Sequence, residues 1–288
     1  MMALFWAAVI LFAGTAPNLL DRIWRGDFTA ARPLGSIRAA DWNIDRGVHL
    51  DEIAAGLDRD RPDLCLLQEV DLFDRRSRNR NVAQALAQKL KLNYAVVASF
   101  QELSQASDGE AAYQGEAILT RLPVERARVI RFHEQSGFWR PRSFIPNIPI
   151  MQRRAGGRTV LVVELKSTHG MLVVYDAHLE SRSLGRIQLA QLREILEDTR
   201  RYPAGTPVIL AGDFNTKYNS AAVFSALQAA GFRSAFPDGA PRTHRIEGKL
   251  DWLLVRGPAR IEDAMVDRNA RGSDHFPIFA RIEVGGNR

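Results

Sequence analysis

At 288 residues with 46% hydrophobic and 25% charged positions, the chain can build one large core or two ordinary domains, which excludes a largely disordered polypeptide. Its single cysteine, Cys65, excludes an intramolecular disulfide. The formal charge of +6 comes mostly from arginine, which grips phosphate bidentately; it points to an anionic substrate or surface, or else reflects a general compositional habit.

Residues 3–16 (ALFWAAVILFAGTA) carry no charge and end in small residues, like the apolar part of a secretory leader with a cleavage site after Ala16. The basic segment expected before such a core is missing. Counted to Leu20, the stretch approaches the ~17–25 residues that span a bilayer, so 1–20 reads as a signal peptide or an uncleaved membrane anchor. Either places the protein outside the cytoplasm, secreted or periplasmic, or on a membrane. Residues 21–35, with Gly26, Pro33 and Gly35, read as a linker, and one domain is expected over 36–285.

That domain opens with a short strand at 37–44 carrying Asp41, Asn43 and Asp45 at alternating positions, three polar groups that are not all expected in a core. A helical segment at 50–57 precedes the buried strand Leu64-Cys65-Leu66-Leu67, which closes on the acids of Gln68-Glu69-Val70-Asp71. Val82, Leu86 and Leu90 recur at helical spacing, and 94–98, 116–120 and 124–132 read as strands. Residues 133–155 mix Phe138, Trp139, Phe144 and several prolines with arginines and show no period. They read as a long loop over the domain that lines a substrate groove, meets a membrane surface or packs on its own core.

Residues 158–165 and 171–179 form an expected hairpin whose second strand places Asp176 and His178 on one face. An amphipathic helix follows at 184–199. The stretch 207–217, PVILAGDFNTK, is the focus of the chain: a buried strand turning at Gly212 and ending in Asp213, Phe214 and Asn215. If the period of two persists, Asp213 and Asn215 share a side and suit a divalent metal, a water and a phosphate oxygen; the alternative is an Asx-type turn. A shorter helix at 221–230 and strands at 250–255 and 276–284 complete the reading.

Taken in order, Asn43 in DWNI, Glu69 in LLQEVD, His178 in AHLE, Asp213 and Asn215 in GDFN, Asp251 in LDWLL and Asp274-His275 in SDHFPI follow the motif order of the endonuclease/exonuclease/phosphatase superfamily, which the chain resembles over about 37–284. The resemblance implies an α/β four-layer sandwich, with two mixed β-sheets packed face to face and helices outside. It also implies a hydrolase of phosphate esters, nuclease-like or acting on a phospholipid or inositol phosphate. By that likeness Glu69 is the main Mg²⁺ ligand, with Mn²⁺ as a substitute, and Asn43 and Asp274 complete the metal shell. Asp213 orients or deprotonates water, and Asn215 holds the phosphoryl oxygens. His275, steered by Asp251, and His178 contact the phosphate or exchange protons with it. Glu116 stands where relatives often carry Asn and is a further candidate for substrate contact. Arg182 and Arg186 are candidates to hold a second phosphate, and Asp176 beside His178 is expected to raise that histidine's pKa.

The residue types fit this chemistry independently, because a hard cation on carboxylates lowers the repulsion between a nucleophile and an anionic phosphate. The partner implied is a phosphate ester, DNA or a lipid head group among them, with membrane association through the N-terminus; no protein partner is implied. A non-catalytic phosphate-binding module on the same scaffold is the competing reading, but a lapsed enzyme is expected to have lost an acid or histidine, and every motif position here is kept.

Overall fold

A computed structural model describes residues 19–107, 110–146, 148, 151, 153–217, 220–237, 239 and 241–285; residues 1–18, which hold nearly all of the expected leader, lie outside them. In chain order the elements are β1 (Ile23–Gly26), β2 (Ser36–Arg46), α1 (Leu50–Asp58), β3 (Leu64–Asp74), β4 (Arg80–Asn81), α2 (Val82–Leu90), β5 (Asn93–Val97), β6 (Phe100–Ser107), β7 (Glu110–Thr120) and β8 (Val124–Arg131). There follow β9 (Arg154–Gly156), β10 (Thr159–Ser167), β11 (Gly170–His178), α3 (Arg186–Thr199), β12 (Val208–Asp213), α4 (Ser220–Ala229), β13 (Arg233–Ser234), β14 (Asp251–Arg256), β15 (Ala259–Val266) and β16 (Ile278–Val284).

Two mixed sheets result, one in the order β1-β5-β7-β3-β2-β16-β15 with β4, β6 and β9 at its margins, the other β13-β14-β12-β11-β10-β8. Each contains one parallel pair, β2 with β3 and β11 with β12, joined by a crossover through α1 or α3.

Strand alternation sorts the side chains into layers. On β2 and β3, Ala40, Trp42, Cys65 and Leu67 face α1 and α2, where Ile53, Leu57 and Leu86 meet them. Ile37, Ala39, Leu64 and Leu66 face inward instead, against Leu172, Val174, Ile209, Ala211 and Leu253 of the second sheet. On the far side Tyr175, Val208 and Leu210 pack on Leu192, Ile195, Val223 and Leu227 of α3 and α4. Helix, sheet, sheet, helix is the four-layer order expected from the sequence, and burying each large aliphatic side chain contributes about 1.5–3 kcal/mol.

Two expectations change and one, that Asp41, Asn43 and Asp45 are not all core, holds. The sheet begins inside the supposed linker, because Ile23 and Trp24 supply apolar side chains and β1 pairs antiparallel with β5. Asp41 and Asn43 are both interior, at 0% and 2% exposure, and only Asp45 escapes, where the backbone turns to φ +40°. Strands β6 and β15 were not anticipated; both are margin strands with mixed charged and apolar residues. Among the described residues no helix is long and apolar enough to cross a membrane.

Candidate active site

The inward face of each central strand changes character toward one end of the molecule. Along β11 it reads Leu172, Val174, Asp176, His178, and along β12 Ile209, Ala211, Asp213. Ladder register then sets His178 opposite Asp213 and Asp213 opposite Asp251, a polar row across three strands at the sheet's edge. Gly212 makes this approach possible: at φ +136°, a Cβ there would lie 1.9 Å from the carbonyl oxygen of Ala177. From the facing sheet Asn43 reaches across, its Nδ2 donating to Asp213 Oδ2 at 3.1 Å.

Asp213 is the point of convergence. Besides Asn43 it receives the backbone N–H of Asn215 on Oδ1 at 2.9 Å and lies 3.4 Å from His178 Nε2 and 3.8 Å from His275 Nε2. Burial pushes its pKa up, and Asp251 adds to this against the pull of His275, leaving it at about 6. His275 Nδ1 sits 2.9 Å from Asp251 Oδ2. Burial opposes its charge, but Asp251, Asp213 and Asp274 outweigh that and raise its pKa to about 10, so the ring carries two protons near neutrality. The loop bearing it is fixed by three contacts: Ser273 Oγ donates to the Asn43 carbonyl at 2.7 Å, His275 N–H donates to Ser273 Oγ at 3.0 Å, and Trp42 Nε1 donates to the His275 carbonyl at 3.0 Å.

His178 behaves oppositely. Burial, then the positive charges of Arg158, His275 and Arg154, hold its pKa well below the ordinary value. This overturns the expected influence of Asp176, whose carboxyl is spent elsewhere. It accepts Gln68 Nε2 at 2.7 Å and the Leu67 N–H at 3.2 Å, and burial raises its own pKa well above normal. Gln68 Nε2 also donates to Asp41 Oδ1 at 2.9 Å, so a buried carboxyl–amide–carboxyl bridge spans the two sheets directly beneath the site.

Glu69 occupies a bulge in β3, where the register with β7 shifts and φ is +54°. Arg46 Nη2 lies 4.0 Å from its carboxylate. Burial opposes its ionisation, yet Arg46, Arg154, Arg158 and His275 together bring its pKa below the usual value. Asp274 projects at the rim with its side chain 54% exposed. Asn215 follows the turn reading: φ is +50°, its N–H closes the Asx turn on Asp213, and Nδ2 donates to the Leu179 carbonyl at 3.0 Å.

Among the described residues two acid–histidine sets lie close enough to share an ion, His244 with Asp274 and His275, and Asp213 with Asp251 and His275. In the first, His244 Nδ1 accepts the N–H groups of Ile246 and Glu247 at 3.1 and 2.7 Å, which places its proton on the Nε2 that faces Asp274 at 3.4 Å; in the second, His275 Nδ1 is engaged by Asp251 at 2.9 Å. Glu69, Asp274 and Asn43, the ligands the family likeness implies, are oxygen donors of the type that suits a hard divalent cation.

Arg182 lines a cleft of ≈ 580 Å³ that starts at Glu69 and runs under Phe138 and Trp139, so the 133–155 loop does wall a groove. Two sequence candidates stand elsewhere. Glu116 is 1% exposed, with its carboxyl taken by Thr159 Oγ1 at 2.8 Å and by Ser99 Oγ, so it is interior support rather than a substrate contact. Arg186 is turned toward solvent, 4.0 Å from Glu134, and is not among the residues lining the cleft. The sequence reading passed over His244, Arg46 and Gln68. Gln68 could have been found by continuing the inward alternation of Leu64 and Leu66 one step; His244 lies in an aperiodic segment and left no such signal.

A sequence model of the Endonuclease/Exonuclease/phosphatase family matches residues 42–275. Similar solved structures include an endonuclease/exonuclease/phosphatase from Beutenbergia cavernae, at TM-score 0.66 and 19% identity over 87% of this chain and 72% of that one. The human nocturnin catalytic domain with bound sulfate is similar at TM-score 0.63 and 16% identity, over 90% and 97% of the two chains. Truncated Caenorhabditis elegans TDP2 is similar at 0.56 and 20%, over 86% and 98%. At these identities the likeness establishes the fold. Comparison with curated protein sequences returns no match.

Proposed function

This chain belongs to the endonuclease/exonuclease/phosphatase family, and on that premise we propose that it is a divalent-metal-dependent phosphodiesterase acting on a polyanionic, nucleic-acid-like substrate. The observation that carries the reading is Asp213, a carboxylate poised at about 6 and shared by an amide, a neutral histidine and a cationic one where both sheets end. Mg²⁺ or Mn²⁺ held by Glu69, Asp274 and Asn43 would neutralise phosphate charge and steady the leaving oxygen.

The protein's own groups divide the remaining work. Asp213, ionised at neutral pH and oriented by Asn43 and the Asn215 N–H, accepts the proton of an attacking water. His275, kept cationic by Asp251, donates a charge-assisted hydrogen bond to a phosphoryl oxygen. His178, neutral, turns its ring to the same space. Acid–base assistance of this kind contributes about 10²–10⁴-fold.

Arginines Arg46, Arg140, Arg142, Arg153 and Arg182 along the cleft support a polyanion. A second reading, a phospholipid head group, is favoured by one feature: Phe138, which lines the cleft with Arg140 and Arg142, and Phe144 in the same loop are 58% and 79% exposed. Export or anchoring through residues 1–20 accords with it and is carried as part of the same proposal.

The full chain would be offered plasmid DNA, bis-p-nitrophenyl phosphate and phosphatidylinositol vesicles with Mg²⁺, Mn²⁺ or chelator, beside Asp213→Asn. Metal-dependent turnover that falls at least about 10³-fold in the variant is expected, on the scale of a lost catalytic group. A folded wild-type protein that turns over none of the three with either metal would defeat the proposal. Cleavage of vesicles alone would transfer it to the lipid reading.

A further inference from the structure

The cleft beyond Glu69 holds an arginine that protein groups leave unpaired. Arg158 is 4% exposed, and its guanidinium makes no hydrogen bond or ion pair with any described residue. It lies over two aromatic rings, 5.5 Å from the centre of Phe100 and 5.9 Å from that of Trp139. Beside it Arg154 is stacked 5.0 Å from the Trp139 ring and held by Glu102 at 3.0 Å and Gln114 at 2.9 Å, which uses both terminal nitrogens and leaves Nε bare. The indole Nε1 of Trp139 is likewise buried without an acceptor.

Three buried donors that line one cleft thus lack an acceptor among the described residues. Buried donors are normally satisfied, and a desolvated cation is normally paired, because the loss of water is not otherwise compensated. An acceptor-rich anion is the group that would satisfy all three, and phosphate matches the planar guanidinium edge. The cleft these donors line takes in Glu69 and Arg46 but not His178, Asp213 or His275, so an anion held there lies beside the group on which those three converge, with Arg158 still close enough to lower the pKa of Glu69 and of His178.

We infer that Arg158, with Arg154 and Trp139, forms a subsite for a second phosphate of the substrate, bonded beyond the one that is cleaved. The inference rests on the phosphodiesterase reading for its meaning but can be measured apart from it. It assigns the chain to substrates bearing at least two phosphates, whether the second belongs to a nucleotide strand or to a phosphorylated head group. Phe138, carrying Arg182 4.5 Å over its ring, closes the outer side of the same wall.

The first test needs no turnover. Pyrophosphate is titrated calorimetrically into metal-free full-length protein, wild type, Arg158→Gln and Arg158→Lys. Wild type is expected to bind, Arg158→Gln to bind at least tenfold more weakly, and Arg158→Lys to recover only part, since an ammonium keeps the charge and loses the fork. Without anion, Arg158→Gln forfeits the guanidinium's contacts with the Phe100 and Trp139 rings but no hydrogen bond or ion pair with a described residue, and should still melt cooperatively, close to wild type. Absence of binding by wild type, or equal binding by Arg158→Gln, would overturn the subsite, as would a lower melting temperature accompanied by unchanged binding.

The second test is a ratio. With Mg²⁺, kcat/KM for thymidine 3′-phosphate 5′-(p-nitrophenyl phosphate) is compared with that for thymidine 5′-(p-nitrophenyl phosphate), and glycerophosphoinositol 4-phosphate with glycerophosphoinositol. A preference for the doubly phosphorylated member of at least one pair, reduced about tenfold or more by Arg158→Gln, is expected, and the pair that shows it names the source. A ratio unmoved by the substitution sinks the subsite and leaves the phosphodiesterase standing. If wild type cleaves none of the four, the pyrophosphate titration alone judges the subsite, and the phosphodiesterase reading is judged by plasmid DNA, bis-p-nitrophenyl phosphate and vesicles.

Discussion

Glu116 shows how folding sets the chemistry of a single carboxyl. Burial raises its pKa to about 7 against the opposing hydrogen bonds of Ser99 and Thr159. Its unfolded value is 4.5. Below pH 4.5 both states hold the proton and no penalty arises. As pH climbs from 4.5 to 7 the unfolded chain releases the proton first, so stability falls with rising pH, and above 7 the accumulated cost is about 3 kcal/mol. Glu116→Gln, which keeps the shape without the ionisation, should therefore raise the melting temperature by several degrees at pH 8 and by little at pH 4.5; calorimetric scans at both pH values check this. The residue also marks where motif reading ends. The side on which Asp213 and His178 lie was legible because alternation along a strand fixes it, while Asp251 stood out through the motif order. Glu116 obeys the same alternation, yet whether an inward residue meets substrate or interior depends on its depth, which no local pattern encodes. The same holds for Arg158, whose guanidinium finds no hydrogen bond or ion pair among the described residues, a property of everything around it.

At the scale of the element, the junction of β11 and β12 is the tightest construction in the site. Val173 to His178 run in register beside Val208 to Asp213, and backbone crowding at Gly212 leaves no room for a side chain. Gly212→Ala would have to part the two strands or twist the ladder, both of which displace Asp213 from Asn43. A stability loss of about 3 kcal/mol or more is expected, on the scale of overpacking with backbone strain. Activity should drop further than in a remote variant of equal stability, which denaturant melts alongside kcat measurements would reveal. Strands like these could be read from sequence because a long apolar run flanked by turn residues has few other fates. Strands β1, β6 and β15 could not, since a margin strand is half solvated and its composition approaches that of a loop.

For the whole molecule, charge and architecture bear on the same cleft. If a polyanion lies along its arginines, association should weaken with salt: for three phosphate contacts on duplex DNA, raising salt from about 50 to 200 mM costs about 40-fold in affinity. Anisotropy titrations of a labelled duplex at several salt concentrations, with metal replaced by Ca²⁺, measure that slope; a flat line would speak against the polyanion. The order of layers was readable because helices and strands alternate with inward and outward apolar positions that only a double sheet satisfies. The end at which the two sheets would meet substrate was readable too, since each strand exchanged aliphatic residues for acids, amides and histidines in the same direction.

Asn43 and Glu69 belong to one sheet, His178, Asp213 and Asp251 to the other, and the bridge of Asp41, Gln68 and Asp176 spans the gap below them. The working parts are therefore aligned only while the two sheets keep their spacing, like the jaws of a vice whose screw is that buried amide. On warming, a slackening of the seam by a fraction of an ångström would disengage Asn43 from Asp213 while every helix and strand remained intact. Loss of turnover should then precede loss of the far-ultraviolet circular dichroism signal, and Gln68→Ala should widen the interval between the two temperatures.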